Sequence, residues 1–228
     1  MYKLCIFDLD GTVADTLRSL WHTVNLCLDK FNLEKQPLEK FQYFAGDGSK
    51  ALIERALIAA GDTTCEHFDR AYLLYRNLFE KGCTYEVKSF KGLEQVLTDM
   101  KNAGIKIAVF TNKDHDNALD VVNAIYDNDF FDCVLGYCNV YPRKPHPDGA
   151  LAIAEKFGVK PEECMYVGDT NTDMKTGKAA GMYTVGVTWG FRGREELEEA
   201  GADIIVDQVD DLVRIAKQTL NEMEGAHR

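Results

Sequence analysis

Short apolar runs alternate with stripes of helical spacing over most of this chain. The runs are almost wholly apolar and lie at residues 3–7, 105–110, 131–135, 164–167, 183–187 and 204–206. Stripes with apolar residues three or four positions apart lie at 93–100, 118–125, 151–157 and 209–220, and a further helix is predicted from about Thr172 to Gly181. An apolar run without polar alternation is typical of a parallel strand covered on both faces. The sequence therefore predicts an α/β fold with a parallel sheet wrapped by helices.

The segment from about residue 16 to residue 82 departs from this alternation. It carries helical stripes at 17–31, 53–60 and 66–81, and it contains no clear strand-like run. An insertion after the first strand can lie over the carboxyl edge of the sheet, where ligands bind in open α/β folds. We therefore predict a core of residues 1–15 and 83–228 and an inserted all-helical cap of residues 16–82. Residues 224–228 are predicted to form a frayed tail.

Composition and charge exclude several classes of protein. Hydrophobic residues make up 46% and charged residues 28% of the chain, which excludes collagen-like, low-complexity and disordered proteins. The net charge of −11 argues against nucleic acid or an anionic membrane as partner. No signal peptide or membrane-length apolar run is visible, so a cytoplasmic protein is expected. A monomer or a weak homodimer is expected as well. The seven cysteines form no CxxC and are predicted to be reduced, buried apolar residues.

The strongest chemical signal is the segment Phe7-Asp8-Leu9-Asp10-Gly11-Thr12, which follows the first apolar run. Two carboxylates two residues apart at a strand end point the same way and repel each other unless they share a cation or a proton. Mg²⁺ would relieve that repulsion, because it prefers oxygen ligands and needs few protein carboxylates. The alternative is an acidic turn that caps the next helix.

Three further segments carry polar groups after apolar runs. Gly168-Asp169-Thr170-Asn171-Thr172-Asp173 places Asp169 at a strand end and Asp173 a helical turn later, with Thr172 as a candidate N-cap. Thr111-Asn112-Lys113 closes the run 105–110, where hydroxyl, amide and backbone N–H groups suit a phosphate oxygen. Lys144-Pro145-His146-Pro147 is a loop whose prolines could fix the direction of Lys144. Taken singly, each segment also fits a helix cap or a solvated surface.

In chain order, these segments match the four motifs of the haloacid dehalogenase-like hydrolases. The match consists of Asp8-x-Asp10-Gly11-Thr12-x-x-Asp15, Thr111-Asn112, Lys144-Pro145 and Gly168-Asp169-x-x-x-Asp173. Within that superfamily the chain most resembles the phosphoglycolate phosphatase-like group with a helical cap, which residues 46–57 and 190–203 also support. The resemblance implies a Rossmann-like core and covers almost the whole chain.

The resemblance also implies roles for the carboxylates. Asp8 would attack phosphorus and form an aspartyl-phosphate, and Asp10 would act as the general acid and then as the general base. Mg²⁺ would be held by the carboxylates of Asp8 and Asp169 and by the main-chain carbonyl of Asp10. Dehalogenases and phosphonate-cleaving relatives lack an aspartate at the position of Asp10. Its presence here favours cleavage of a C–O–P linkage or phosphoryl transfer.

For the phosphate, the resemblance implies three binding groups and one supporting residue. The Thr111 side chain, the Asn112 backbone and Lys144 would hold the equatorial oxygens, where transition-state charge resides. Asp173 would orient Lys144 and metal-bound water from behind the ligands.

The cap segment Gly46-Asp47-Gly48-Ser49-Lys50-Ala51 is the candidate specificity region. In the related enzymes this part of the cap faces the active site and helps to select the substrate. Asp47, Lys50 and Arg55 are therefore candidates for contacting the non-phosphate end of the substrate. The alternative is a helix start with solvated charges.

Together these observations predict a Mg²⁺-dependent phosphatase that acts on a small phosphorylated metabolite, with 2-phosphoglycolate as the first candidate. One alternative is a phosphomutase of the same superfamily that acts on hexose phosphates, and another is a nucleotide or pyrophosphate phosphatase. A third is a non-catalytic binding protein on a retained scaffold. That last reading is disfavoured, because a binding module has no reason to keep mutually repelling carboxylates.

Overall fold

A computed structural model of the protein describes residues 1–218, and its centre is a six-stranded parallel sheet. The strands are β1 (Leu4–Phe7), β2 (Lys106–Asp114), β3 (Cys133–Tyr137), β4 (Cys164–Gly168), β5 (Tyr183–Val187) and β6 (Ile204–Val206). They lie in the order β3-β2-β1-β4-β5-β6. Each of the six predicted apolar runs contributes a strand, which confirms the predicted fold class.

The described part of the chain contains ten α-helices. Four follow β1, namely α1 (Leu17–Lys30), α2 (Phe41–Phe44), α3 (Ser49–Ala59) and α4 (Phe68–Gly82). The other six are α5 (Leu93–Asn102), α6 (His115–Ile125), α7 (Asp148–Lys156), α8 (Asn171–Ala179), α9 (Arg194–Glu199) and α10 (Asp210–Lys217). The short helices α2 and α9 were not predicted, because four to six residues are too few to show a helical period. Leu220, at the end of the last predicted stripe, and the predicted tail lie outside the described residues.

The helices α1 to α4 occupy the segment predicted as the cap, and no strand occurs in the described structure between Leu17 and Gly82. We call residues 16–82 the cap region and the remainder the core region. The bounds at residues 15/16 and 82/83 stay a prediction. An isolated bridge between Asp15 and Lys88 joins the two chain segments that connect these regions.

The sheet is covered on both faces by apolar side chains. Along β1, Leu4 and Ile6 belong to one buried cluster, whereas Cys5 and Phe7 belong to the other, as the two-residue period of a strand requires. The second of these clusters continues into the cap region through residues such as Leu20 and Phe79. All four residues of β1 are fully buried, so a parallel sheet explains why this run lacks polar alternation.

The strand order brings the motif segments together at one edge. β1 pairs with β2 on one side and with β4 on the other, so that Phe7 is level with both Val109 and Val167. The chain leaves β1 at Asp8 and leaves β4 at Asp169, and both residues therefore follow neighbouring strands. This is the position at which the strand order reverses, where open α/β sheets form their ligand crevice.

The seven cysteines are free, but they are not uniformly buried. Cys5, Cys27, Cys83 and Cys164 are buried as predicted, whereas Cys65 and Cys133 are only half-buried and Cys138 is exposed. The prediction was wrong for Cys138, because that residue follows β3, the outermost strand on its side of the sheet. Among the described residues, no helix has the length and apolar character needed to cross a membrane.

Candidate active site

Three aspartates meet at the carboxyl edge of the sheet. Asp8, Asp169 and Asp173 are buried, and one carboxylate oxygen of each lies within 4.8 Å of the others. Lys144 Nζ lies 2.7 Å from Asp8 Oδ1 and 2.7 Å from Asp173 Oδ1, and its side chain is only 1% exposed. The contact with Asp8 is an ion pair without hydrogen-bond geometry. One ammonium group among three carboxylates leaves an excess of negative charge.

Burial and this excess of negative charge together shift the pKa values of the cluster. Burial raises the pKa of Asp8 to about 7, with Asp173 and Asp10 adding to the rise and Lys144 opposing it. Burial, together with Asp173 and Asp8, raises the pKa of Asp169 well above its usual range. Burial alone would lower the pKa of Lys144, but the charges of Asp173 and Asp8 outweigh it and raise that pKa. A bound divalent cation would favour the ionised carboxylates.

The Asp169 carboxylate is fixed by donors from two distant segments. Thr12 Oγ1 donates to Asp169 Oδ1 at 2.9 Å, and the Phe191 backbone N–H donates to Asp169 Oδ2 at 2.7 Å. A Cβ atom added at Gly11 or at Gly190 would overlap the Asp169 side chain. The two glycines therefore allow backbone to pass directly beside the carboxylate, which explains their place in the motif segments.

Asp173 is held at the start of α8. Its Oδ2 accepts hydrogen bonds from the backbone N–H of Thr170 at 3.0 Å and from Thr170 Oγ1 at 2.6 Å. Thr170 is therefore the N-cap of α8, and the prediction of Thr172 was wrong by two residues. The Asp173 oxygen that remains, Oδ1, faces Lys144. The predicted role of Asp173 in orienting Lys144 stays a prediction with suitable geometry.

Asp10 has two partners that the motif comparison did not reveal. Its Oδ1 accepts a hydrogen bond from Thr16 Oγ1 at 2.6 Å and lies 3.0 Å from Lys113 Nζ. The Lys113 side chain is 4% exposed, and its ammonium lies 4.7 Å from the ring centroid of Phe79 on α4. The sequence signal for Lys113 was its position directly after Thr111-Asn112, which alone does not separate it from a surface lysine.

Thr111 and Asn112 lie in β2, which continues past the predicted strand end at Phe110. Its pairing with β3 shifts register between Phe110 and Asp114. The Asn112 side chain accepts from the Lys144 backbone N–H at 2.8 Å and donates to the Lys144 carbonyl at 3.2 Å. Asn112 therefore fixes the backbone of Lys144, and the two segments predicted to hold phosphate are joined. Their contact with phosphate stays a prediction.

A cavity of about 420 Å³ opens beside Asp8 and Asp10. The core region contributes Thr111, Asn112 and residues from Lys113 to Asp120 to its lining, and the cap region contributes parts of α3 and α4 and the loop before α3. A site enclosed by two regions of the chain fits a small ligand more readily than a polymer.

The three predicted specificity residues lie outside the cavity lining, although their neighbours Gly48 and Ser49 belong to it. Asp47 Oδ1 accepts a hydrogen bond from Thr172 Oγ1 of the core region at 2.9 Å, and its other oxygen pairs with Arg55. Lys50 Nζ lies 5.9 Å from the centroid of the Tyr72 ring. Direct contact of Asp47, Lys50 or Arg55 with substrate stays a prediction.

The acidic cluster fits a hard divalent cation. Carboxylate oxygens are the donors that Mg²⁺ prefers, and the two carboxylates with raised pKa values, Asp8 and Asp169, are the two implied ligands. The arrangement leaves negative charge that Lys144 alone does not balance. Asp10 is also implied as a ligand, but through its main-chain carbonyl, and its side chain faces Thr16 and Lys113 instead.

Comparison with known proteins agrees with this geometry. Residues 5–187 match the family model described as haloacid dehalogenase-like hydrolase. A phosphoglycolate phosphatase of Haemophilus influenzae is 31% identical over 222 residues, which cover 94% of this chain and 98% of that protein. A phosphoglycolate phosphatase of Escherichia coli is 28% identical over 225 residues, which cover 91% of this chain and 89% of that protein.

Solved structures share the fold over nearly the full length. The crystal structure of a predicted phosphoglycolate phosphatase from Haemophilus somnus has a TM-score of 0.88 at 25% identity, covering 95% of this chain and 98% of that one. CbbY from Rhodobacter sphaeroides, solved with xylulose-(1,5)bisphosphate, has a TM-score of 0.76 at 23% identity, covering 93% of this chain and 96% of that one. The latter similarity concerns the fold alone.

The chain belongs to the haloacid dehalogenase-like hydrolases. Within that family it falls in the phosphoglycolate phosphatase-like group, and it is a phosphatase, that is, a phosphoric monoester hydrolase.

Proposed function

We propose that the protein is a Mg²⁺-dependent phosphatase that hydrolyses a small phosphorylated metabolite, with 2-phosphoglycolate as the leading substrate, through an aspartyl-phosphate on Asp8. The observation that carries the proposal is the burial of Asp8 between Lys144 and the other carboxylates, at the edge of a cavity that the cap region and the core region both line. Phosphoglycolate phosphatases among the similar proteins support the substrate.

In the first half-reaction, a carboxylate oxygen of Asp8 bonds to phosphorus while the bond from phosphorus to the ester oxygen breaks. Asp10 gives its proton to that oxygen, and the alcohol leaves. In the second half-reaction, water attacks phosphorus, its proton passes to Asp10, and the bond from phosphorus to Asp8 breaks. Inorganic phosphate is released, and both aspartates return to their starting states.

The surrounding residues supply charge and order. Asp8, Asp169 and the Asp10 main-chain carbonyl would hold Mg²⁺, which would supply positive charge that keeps Asp8 ionised and offsets the charge of the phosphate. Lys144 lies 2.7 Å from Asp8, within reach of a phosphoryl oxygen beside the nucleophile. Thr111 and the Asn112 backbone are the proposed partners of the remaining oxygens. Loss of any one of these groups should weaken contacts with the phosphoryl oxygens that become stronger as negative charge develops in the transition state.

The test is phosphate release from 2-phosphoglycolate and an aryl phosphate, with Mg²⁺ and with chelator. Asp8→Asn is expected to remove turnover on both substrates, because a neutral amide is a poor nucleophile. Asp69→Asn, on the exposed first turn of α4 and outside the cavity, is the matched control and should keep the wild-type rate. Turnover by Asp8→Asn near the wild-type rate would refute the mechanism.

The same assay distinguishes the alternatives. Glucose 6-phosphate, a nucleoside monophosphate and pyrophosphate join the panel, each assayed without a bisphosphate activator. Phosphate release from 2-phosphoglycolate without an activator argues against a phosphomutase, and a preference for nucleotide or pyrophosphate would replace the substrate proposed here. A protein that binds Mg²⁺ but hydrolyses none of these compounds would favour the non-catalytic reading.

A further inference from the structure

The cavity beside Asp10 contains a buried positive charge that the proposed chemistry does not use. Among the described residues that line the cavity, the cationic side chains are Lys113 and Arg76. Lys113 is buried beneath α4, whereas Arg76 is exposed on that helix. Lys144, the proposed partner of the phosphoryl group, is already held by Asp8 and Asp173. Lys113 is therefore a second ammonium group with a separate position.

Lys113 lies beside the residue that the proposed mechanism places at the leaving group. Its Nζ is 3.0 Å from Asp10 Oδ1, and Asp10 is the residue proposed to protonate the ester oxygen. A general acid lies within hydrogen-bond distance of the atom it protonates, about 2.6–3.2 Å. The ammonium and the ester oxygen are therefore both neighbours of one carboxyl group. A charged group one or two bonds beyond the ester oxygen falls within reach of Lys113.

The cavity selects against negative charge elsewhere. Its lining from the core includes Asp114, Asp116 and Asp120, and its lining from α4 includes Glu80. These acidic side chains are half-buried or exposed, so they act near the mouth of the cavity. An anionic substrate end therefore finds a buried cationic partner at Lys113, where the ring of Phe79 limits access of water. A charge pair shielded from water is stronger than one at the surface.

We infer that Lys113 is a specificity-determining residue that pairs with a carboxylate on the leaving group, close to the ester oxygen. The inference rests on the proposed function, because it takes Asp10 as the group that faces the leaving oxygen. It names the substrate class: phosphate monoesters of short 2-hydroxy acids, of which 2-phosphoglycolate is the smallest. In that compound the carboxyl carbon is two bonds from the ester oxygen.

The experiment compares two substrates that differ at the carboxylate, 2-phosphoglycolate and 2-hydroxyethyl phosphate. The wild-type protein is expected to prefer 2-phosphoglycolate. The measured ratio is kcat/KM for 2-phosphoglycolate divided by kcat/KM for 2-hydroxyethyl phosphate. Lys113→Met keeps the length and apolar stem of the side chain, and it should lower this ratio by about 30-fold or more. Most of the loss should come from KM for 2-phosphoglycolate, because the pair forms when substrate binds.

Two variants serve as controls for charge. Lys81→Met removes a lysine from the exposed end of α4 outside the cavity and should leave the ratio unchanged. Arg76→Met removes an exposed charge from the cavity mouth and should change the ratio by less than about three-fold, because exposed charges interact weakly. If Arg76→Met lowers the ratio as much as Lys113→Met does, a diffuse field rather than a contact selects the substrate, and the assignment is overturned.

The outcomes distinguish a failure of this inference from a failure of the proposed function. If wild-type protein hydrolyses both compounds and Lys113→Met loses both equally, Lys113 acts only through Asp10 and the specificity role is refuted, while the phosphatase proposal stands. If wild-type protein hydrolyses neither compound, the proposed function and the inference both fail. If Lys113→Met does not fold, the same ratio is measured on Lys113→Gln, which retains a hydrogen-bond donor for Asp10, and the same decrease is expected.

Discussion

At the residue scale, the position of the Asp169 carboxylate depends on the absence of side chains beside it. Gly190 has no positive φ, and a Cβ atom there would overlap the Asp169 side chain and the Gly11 carbonyl. Backbone conformation alone would therefore permit alanine at residue 190, but packing would not. Because Asp169 is a proposed metal ligand, displacing it should disturb the proposed reaction more than the fold.

Gly190→Ala is expected to lower kcat/KM by about 10²-fold, since small displacements in a reacting site cost that much. Gly193→Ala is the matched control, three residues further along the same segment. Its φ of −80° suits any residue, and nothing lies within 4 Å of the added Cβ atom. The control should keep full activity. Its stability should change little, because Gly193 is the N-cap of α9, where alanine is a poorer cap, and this offsets the gain from a less flexible unfolded chain. Steady-state kinetics and urea unfolding test both variants, and equal activities would show that Asp169 tolerates displacement.

At the element scale, the loop between α2 and α3 is hydrogen-bonded to the core region. Asn112 Nδ2 donates to the Gly46 carbonyl at 3.3 Å, and Arg192 donates to the Ala45 carbonyl at 2.9 Å. Within the cap region, Arg55 of α3 donates to the carbonyls of Tyr43 and Phe44 and pairs with Asp47. This network sets the position of a loop whose residues line the cavity.

Removal of Arg55 is therefore expected to change substrate preference through the loop. Arg55→Ala should alter kcat/KM for 2-phosphoglycolate several-fold more than kcat/KM for an aryl phosphate. Arg70→Ala, on the exposed surface of α4 and outside the cavity lining, is the control. Equal losses on both substrates would show that Arg55 contributes stability to the cap region without selecting substrate.

At the scale of the whole molecule, the buried carboxylates impose a cost that a cation removes. The pKa of Asp8 is raised to about 7, mainly by burial, whereas an unfolded aspartate loses its proton at about pH 4. Between these values the folded, metal-free protein binds more protons than the unfolded chain. Its free energy of unfolding should therefore fall as pH rises, by up to about 1.4 kcal/mol per pH unit for each such group.

Urea unfolding at pH 5, 6 and 7 in chelator should show this decrease, and excess Mg²⁺ should reduce or reverse it. Asp8→Asn removes one of the raised groups and should flatten the slope in chelator. Asp203 provides a contrast: burial raises its pKa, but hydrogen bonds from Lys178 and Thr184 lower it overall. A group whose pKa is lowered on folding stabilises the folded protein at every pH above its pKa in the unfolded chain, and this effect is lost only in more acidic solution. Asp203 therefore does not contribute to the slope between pH 5 and pH 7. A flat wild-type profile in chelator would contradict the expected cost.

The strands and the acidic motif segments could be predicted because local sequence controls them. β1 and β4 are runs of buried residues, and an apolar run can be recognised from consecutive residues alone. Asp8 and Asp169 each follow such a run directly. The N-cap of α8 was misplaced by two residues, because Thr170 and Thr172 are equally good caps in isolation. Only the hydrogen bonds between Thr170 and Asp173 distinguish them.

The α/β order of the elements and the side chains that follow the strand ends are local properties, and the amino-acid pattern was enough to predict them. The distant groups that contact those side chains became known only from the folded molecule. Thr12 and Phe191 reach the two oxygens of Asp169, Thr172 reaches Asp47 across 125 residues of chain, and Lys113 lies buried against Asp10 beneath α4. The physical reason is that periodicity reports local burial, whereas a contact between separated segments depends on strand order and on how the cap region packs over the sheet.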